Sequence, residues 1–418
     1  MPSQTKPKSP LLRDRDFVRL WGAQTVSDFG ARITREGLPM MAVVGLAAAP
    51  TQLGLLAALS SGAALVVGLA AGDFIDHTAR RPILIAMDLV RAAILIVLPL
   101  AAWMGLLSML QVYAAAMLVA AASVLFDIAD HAYLPGLVGV ARVTEANARL
   151  SVTESVAEMG GPALAGVLFQ WLTAPIAVAV NAATYLVSAL LLARIRTPEP
   201  PLEKGLRRRG WIDGVITGAR TSWEEPRVRI LLVMTATGGL FGGFFSALYI
   251  AFVLRGLGLN PALLGLGIAT GGVGALVGSL LAQPLARWLG VGPAICAAGA
   301  LSALGTMIVL LAPANLLGGT ACLMVSQFLG DALGVVPLIL AASLRQSVLP
   351  HSLLGRVGAT FRVAGGGTAV IGALAGGALG EAFGLRAALL IAIAGLMIGP
   401  ALGALSPLRA VKEMPAGG

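Results

Sequence analysis

Charged residues are scarce in this sequence. Asp, Glu, Lys and Arg together make up 12% of the 418 residues, whereas hydrophobic residues make up 57% and the mean hydropathy is +0.88. A soluble domain carries about 25% charged residues. Apolar stretches of about 18 residues or more recur along the chain, and each is long enough to cross a bilayer as a helix. The composition therefore excludes a soluble domain and predicts an all-α polytopic membrane protein.

Metal-binding, catalytic and nucleotide-binding patterns are missing as well. The two cysteines, Cys296 and Cys322, stand in separate apolar stretches, and the three histidines have no ligand spacing. No Walker sequence occurs. The glycine-rich GGVGALVG at 271–278 follows no strand, so it predicts close helix packing rather than a nucleotide site. We therefore expect no metal, no cofactor and no enzymatic activity.

Basic residues are unevenly distributed. The formal net charge is +9, yet Lys and Arg concentrate in the tails and in the loops predicted for one side, and only Arg255 and Arg386 are predicted near the other. This asymmetry follows the positive-inside rule, so it predicts orientation rather than nucleic-acid binding. The opening stretch MPSQTKPKSPLLRDRDFVRL resembles a cytosolic tail, not a cleavable signal peptide. We expect a multi-pass protein of the bacterial cytoplasmic (inner) membrane with both termini in the cytosol.

Twelve apolar spans can be placed between turn and charge signals. PALAG at 162–166 resembles GALAG at 372–376, and Gly68 corresponds to Gly278 at the same offset, which suggests that the second six spans repeat the first. Parallel halves of this kind are a transporter plan with the substrate site between them. The predicted spans are 19–48, 52–75, 83–104, 109–133, 150–171, 174–195, 228–254, 261–287, 291–312, 315–343, 357–380 and 385–406.

The predicted domains follow from these spans. A polar segment with several prolines and three consecutive arginines separates the halves and reads as a cytosolic linker. Its stretch WIDGVITGARTSW is either a short amphipathic helix on the membrane surface or a plain solvated linker. The predicted order is a cytosolic N-terminal tail (1–18), a six-helix bundle (19–195), the linker (196–227), a pseudo-symmetric six-helix bundle (228–406) and a cytosolic C-terminal tail (407–418).

The loop between the second and third spans reads GDFIDHTARRP. It resembles the loop signature of the major facilitator superfamily, and this resemblance extends over nearly the whole chain. The matching residues are Gly72, Asp76, Arg80 and Arg81. Gly72 would let two helices approach closely, and Asp76 would latch the halves by pairing with an arginine or a helix N-terminus. A simple positive-inside anchor would explain the two arginines alone.

The fifth span contains EMGGPALAG, which resembles the Gly-Pro-x-x-Gly-Gly signature of antiporters in this superfamily. Gly161, Pro162 and Gly166 match, and Ala165 replaces one glycine. In the family this signature seals the pathway against leak and accompanies export. Ordinary packing of small residues is the alternative.

Three further stretches resemble one branch of the superfamily. They are FDIADHAYLPGLV at 126–138, MDLVRA with Asp88 and Arg91, and EANARL before the fifth span. This branch, the drug:proton antiporters, includes macrolide-efflux and enterobactin-export proteins. The resemblance implies twelve helices in the major facilitator fold, alternating access and a monomer.

Four ionisable side chains interrupt the first span, in SDFGARITREG. Asp28, Arg32, Arg35 and Glu36 share one stripe of a helix. Each charge costs about 2.5–3.5 kcal/mol at the bilayer centre, so the stripe must face protein or a watery cavity. Asp28 with Arg32, and Arg32 with Glu36, are i,i+4 pairs that could neutralise each other. The other ionisable candidates for the site are Asp127, Asp130, Glu154, Glu158, Asp331 and Arg362.

Two interpretations of these charges are open. They could be structural ion pairs that brace the helices. Alternatively, one carboxylate, with Glu36 and Asp28 first and Glu158 third, exchanges a proton, because burial favours the neutral carboxyl and a nearby arginine favours the carboxylate. The arginines could bind an anionic group of the substrate or serve as counter-ions.

The sequence therefore predicts a secondary active transporter. Its expected task is proton-coupled efflux of a mid-sized amphipathic small molecule, such as a drug, siderophore or secondary metabolite, by alternating access. Import of a siderophore or metal complex, and lipid flipping, are alternatives on the same fold. A receptor or scaffold would not need a stripe of buried charge, and a membrane enzyme would need a nucleophile–base set.

Overall fold

The computed structural model describes residues 11–199, 211–313 and 315–414, and the regular structure in these ranges is helical. The α-helices are α1 (Arg15–Met40), α2 (Pro50–Asp76), α3 (Arg80–Trp103), α4 (Met109–Val138), α5 (Val143–Leu172), α6 (Ala174–Ala193), α7 (Trp211–Glu224), α8 (Pro226–Ala251), α9 (Pro261–Leu289), α10 (Val291–Met307), α11 (Leu316–Val348), α12 (His351–Phe383), α13 (Leu385–Leu396) and α14 (Ile398–Ala404). Short π-helical turns continue α1 (Met41–Gly45) and α8 (Phe252–Gly256), and a 3₁₀ turn continues α10 (Ile308–Leu311).

Ten helical segments of the described chain are long and apolar enough to cross a membrane. They are formed by α2, α3, α4, α6, α8, α9, α10, α11, α12 and the pair α13 and α14. Helices α1 and α5 are as long, but they contain most of the ionisable residues of the candidate site. The prediction of a multi-pass, all-helical membrane protein is confirmed.

Local sequence explains several helix boundaries. The side chains of Asn260 and Asn315 accept hydrogen bonds from the first turns of α9 and α11, at 2.9 and 2.7 Å, which satisfies N–H groups that have no helical partner. Gly290 and Gly384 have φ angles of 91° and 83°, so α10 and α13 start directly after the preceding helices. Only glycine adopts this backbone conformation without strain.

The helices of the first half of the chain (α1–α6) recur in the second half (α8–α14). Helices α1 and α8 start at Arg15 and Pro226, and helices α4 and α11 start at Met109 and Leu316. The two offsets are nearly equal, and the other four pairs of helix starts agree with them. The internal repeat is therefore present in the helix boundaries as well as in the short similar stretches.

Helix α7 lies inside the segment predicted as a linker, and it shows the amphipathic helix rather than the plain linker. It packs on the first turns of α12, where the Thr360 hydroxyl donates a hydrogen bond to the Val215 carbonyl at 2.8 Å. Ile212, Ile216 and Trp223 stay exposed. An exposed apolar stripe on such a helix suits the surface of a membrane.

Both ends of the described chain lie on the same side of the helix assembly, which we call the terminal side. Asp16 accepts hydrogen bonds from Thr197 beyond the end of α6, and the carbonyl of Val411 accepts one from Gly292 at the start of α10. The side with the α1–α2, α5–α6 and α12–α13 junctions is the opposite side. Across the two halves, α2 packs on α12 and α5 packs on α9.

Candidate transport site

The two halves are in backbone contact at the opposite side. A Cβ atom on Gly54 of α2 would lie 2.5 Å from the Ala373 carbonyl oxygen of α12, and one on Gly166 of α5 would overlap the Pro261 carbonyl oxygen of α9. Neither position has room for a side chain. Small residues therefore allow the helices to close this side of the assembly.

Polar contacts reinforce this closure. The Thr51 hydroxyl of α2 donates to the Glu381 carboxylate of α12 at 2.5 Å. Arg255, at the end of α8, donates to the carbonyl oxygens of Val43 and Ala48, both at 2.6 Å, in the segment between α1 and α2. Opening of the opposite side would break each of these contacts between the halves.

Replacing Gly166 with alanine is expected to open this side. The new methyl group would meet backbone atoms of α9, which cannot move without moving the helix. Spin labels at the exposed positions Val44 and Leu317, in a protein with its native cysteines replaced by serine, should show a longer distance population. Gly242→Ala is the matched control, because a Cβ there meets no atom within 4 Å. Identical distance distributions for both variants would contradict the expectation.

A cavity of about 490 Å³ lies toward the terminal side, within the first half. It is lined by Gln24, Ser27, Asp28, Ala31, Arg32, Arg35, Arg91, Ser123, Phe126, Asp127, Asp130, His131, Leu134, Asn147, Leu150, Ser151 and Glu154. Helices α1, α3, α4 and α5 contribute these residues. The structure thus brings together Asp28, Arg32 and Arg35 with the predicted carboxylates of α4 and Glu154.

Glu158 contacts both arginines of the charged stripe on α1. It forms an ion pair with Arg32 and a second one with Arg35 at 2.9 Å, and Arg35 also pairs with Glu36 at 3.0 Å. Two guanidinium groups therefore face two carboxylates. Three of the four charges predicted on one stripe, those of Arg32, Arg35 and Glu36, are thus balanced together with Glu158 at the interface between α1 and α5, whereas Asp28 takes no part in these pairs.

The i,i+4 pairs predicted within α1 are replaced by pairs with α5: among the described residues, Arg32 forms no ion pair with Asp28 or Glu36. A Cβ atom on Gly161 would lie 2.5 Å from Cβ of Arg32, so the missing side chain of this glycine is what lets Arg32 lie against α5. Pro162 faces α9, where its carbonyl oxygen would overlap a Cβ on Gly265. Of the predicted signature residues, Gly161 thus contacts α1 and Pro162 contacts α9.

Four carboxylates of the cavity remain without an arginine. Within the described ranges, Asp28, Asp127, Asp130 and Glu154 have no guanidinium at ion-pair distance. Asp130 accepts a hydrogen bond from Gln24, and its carboxylate lies 4.0 Å from Nδ1 of the exposed His131. The cavity wall is therefore acidic. The sequence did not indicate this, because it places arginines and carboxylates together on one stripe.

Asp88 and Arg91 form a buried pair beside the cavity. Their side chains are 0% and 2% exposed, and Nη2 of Arg91 lies 2.5 Å from the Asp88 carboxylate. The guanidinium also stands 4.4 and 4.2 Å from the ring centres of Phe126 and Tyr185. Cation–π contacts of this kind add to the stability of a desolvated arginine.

The predicted gating loop is tied to the first half. Arg81 donates to two backbone carbonyls at the end of α6, at 3.0 and 2.6 Å. Glu199, which the sequence analysis missed, accepts from the backbone N–H groups of Arg80 and Arg81 at 2.8 and 2.7 Å, at the N-terminus of α3. Gly72 and Asp76 belong to α2, but the contacts predicted for these two residues lie outside what the structure describes.

The two candidates of the second half do not line the cavity. Asp331 lies against α9, where its Oδ2 would overlap a Cβ on Gly271, and Arg362 is exposed. Tyr249 of α8 is an additional candidate. Its buried hydroxyl has no hydrogen-bond partner among the described residues. An aromatic residue inside an apolar stretch gives no signal in the sequence.

A helical membrane chain with two repeated halves and ion-paired charges inside its helices has the plan of a secondary transporter. Solved structures agree with this fold. The nucleoside transporter NupG has a TM-score of 0.75 at 12% identity, with 93% of this chain and 98% of that chain covered. A bacterial homologue of the iron transporter ferroportin, inward-facing, has 0.75 at 16%, with 94% and 98% covered. A bacterial homologue of the human lysosomal transporter Spinster, also inward-facing, has 0.71 at 15%, with 97% and 98% covered.

The family model described as transmembrane secretion effector matches residues 5–416, so this chain belongs to that family of the major facilitator transporters. No curated protein matches the chain. The structural likenesses, all at low identity, concern the fold alone.

Proposed function

We propose that this protein is a proton-coupled exporter of the bacterial cytoplasmic membrane. In this proposal α1–α6 and α8–α14 form two six-helix bundles with twelve spans, α13 and α14 together making the last one, and both termini lie in the cytosol. The family description as a secretion effector supports export. The terminal side would then be cytosolic, and the contacts that close the opposite side would define an inward-facing conformation.

The observation that carries the proposal is the position of Glu158. This one carboxylate forms ion pairs with both Arg32 and Arg35 next to an acidic cavity. A proton on Glu158 would weaken both ion pairs at once and free α1 from α5. Because α5 also packs on α9 of the other half, a change at this carboxylate would reach the contact between the halves. Proton binding and alternating access would thus share one side chain.

Flux into proteoliposomes tests the coupling and its sign. The probe is the neutral methyl ester of dansylglycine, and protein-free liposomes give the passive background. A proton antiporter should accumulate the probe when the lumen is acidic, since protons leave as the probe enters. Accumulation only with an alkaline lumen would indicate proton symport and therefore import. Flux that ignores the pH gradient would contradict proton coupling.

The arginines serve as counter-ions in this proposal rather than as an anion site. Arg32 and Arg35 are both engaged by glutamates, and the remaining carboxylates of the cavity would repel an anion. We therefore expect Arg32→Gln and Arg35→Gln to reduce transport of dansylglycine and of its neutral methyl ester by the same factor. Arg220→Gln, at an exposed pair on α7, should leave both unchanged. A selective loss of dansylglycine transport would contradict this expectation.

A further inference from the structure

A second pocket lies on the opposite side, away from the transport cavity. Its volume is about 640 Å³. It lies between the end of α8, the end of α10 and the start of α13. Its lining residues are Phe252, Arg255, Gly256, Leu257, Leu311, Ala312, Pro313, Leu385 and Arg386. Arg255 and Arg386, which both line it, are the two basic residues that the sequence places against the positive-inside trend.

Neither arginine is neutralised within the described ranges. Arg255 donates to the carbonyls of Val43 and Ala48, and Arg386 donates through Nε and Nη2 to the Leu310 carbonyl. A guanidinium has five N–H donors, so each of them keeps three for another acceptor. Backbone carbonyls hold the two groups in place but leave their full charges. The pocket is therefore a fixed pair of cations at the membrane boundary.

An apolar groove continues from this pocket. Its volume is about 660 Å³, and it shares Leu311, Leu385 and Arg386 with the arginine pocket. Phe383 and Leu390 line its remaining length and are exposed on the outer surface of the helices. One continuous depression thus has a cationic end and a hydrocarbon-like end.

We propose that this depression binds an anionic phospholipid, with the phosphate between Arg255 and Arg386 and an acyl chain along the groove. Planar guanidinium groups bind phosphate oxygens through paired hydrogen bonds. Basic pockets between membrane helices hold lipid head groups in the same way. A free anion would use only the arginine end and would leave the groove empty. Because Arg255 also joins the halves, the bound lipid stabilises the closed opposite side.

Native mass spectrometry of the purified full chain tests the site. The protein is titrated with phosphatidylglycerol or with phosphatidylcholine of identical acyl chains. Each basic residue near a membrane surface contributes about 1 kcal/mol to binding an anionic lipid, or about fivefold in affinity. We expect Arg386→Gln to weaken phosphatidylglycerol binding by about fivefold, and Arg386→Lys, which keeps the charge but loses the paired hydrogen bonds, to weaken it less. Arg409→Gln, on the terminal side, is the matched control and should change nothing.

A second variant and a head-group analogue distinguish the remaining outcomes. Ala387→Trp places a bulky side chain in the groove without changing charge, so it should weaken binding of both lipids. Glycerol 3-phosphate at the same concentration as the lipid should not compete. If this analogue competed, the pocket would be a site for free phosphate groups rather than for a lipid, and the lipid proposal would be wrong. A preference for phosphatidylglycerol that survives both Arg386→Gln and Ala387→Trp would overturn the proposal.

Discussion

Replacing Glu158 with glutamine is expected to reduce proton-driven transport by at least about tenfold. Glutamine has nearly the same shape but carries no charge to pair with Arg32 and Arg35. A hydrogen bond to a charged group contributes about 1.5–3 kcal/mol, and Glu158 makes two of them. Part of this loss is screened by water, because the Glu158 side chain is 44% exposed while that of Arg32 is 17% exposed. The measurement is probe accumulation in acid-lumen proteoliposomes.

Exchange of internal for external probe, measured without a pH gradient, distinguishes a Glu158 that carries the proton from a Glu158 that only holds α1 against α5. If Glu158 carries the proton, the glutamine variant should still exchange internal for external probe while losing its response to pH. If the ion pairs only brace α1 against α5, exchange and driven transport should fall together. Glu145→Gln is the matched control, since Glu145 is also on α5 and pairs with Arg149 near the start of that helix. A wild-type response to pH in Glu158→Gln would contradict the assignment of Glu158.

The helical architecture follows closely from the sequence. Apolar length and turn signals place the helices, and the offset between PALAG and GALAG reappears, nearly unchanged, between the helix starts of the two halves. These features depend on local sequence, since hydropathy and turn residues act within a few positions. The close packing predicted for GGVGALVG is likewise confirmed. A Cβ on Gly274 would overlap the Phe328 carbonyl oxygen of α11.

The ion pairs of the site could not be derived in the same way. Sequence spacing allows Arg32 to pair with Asp28 or Glu36 on its own helix, and only the register of α5 against α1 brings Glu158 closer. That register depends on Gly161, whose role is visible once two helices are placed side by side. The role of Glu199 could not be predicted for the same reason, because it contacts Arg80 and Arg81 from a distant part of the chain.

The largest effect on stability is expected for Asp88→Asn. Its partner Arg91 would keep a full charge in a site where both side chains are almost completely buried. Removing one member of a buried ion pair costs about 3–5 kcal/mol, because the remaining charge has lost its compensation. The contacts of Arg91 with the rings of Phe126 and Tyr185 are present with and without the Asp88 charge, so they do not replace the lost compensation. Denaturant unfolding of the protein in detergent micelles measures the change.

Two comparisons make this expectation specific. Glu224→Gln breaks the exposed pair with Arg220, whose side chains are 65% and 84% exposed, and it should change the free energy of unfolding by less than about 1 kcal/mol. The double replacement Asp88→Leu with Arg91→Met removes both charges and should recover most of the lost stability, since apolar side chains of similar volume can replace a buried pair. If Asp88→Asn is no more destabilising than Glu224→Gln, the buried pair does not stabilise the fold. If the double variant is stable but transports no probe, Arg91 acts in the cavity that it lines.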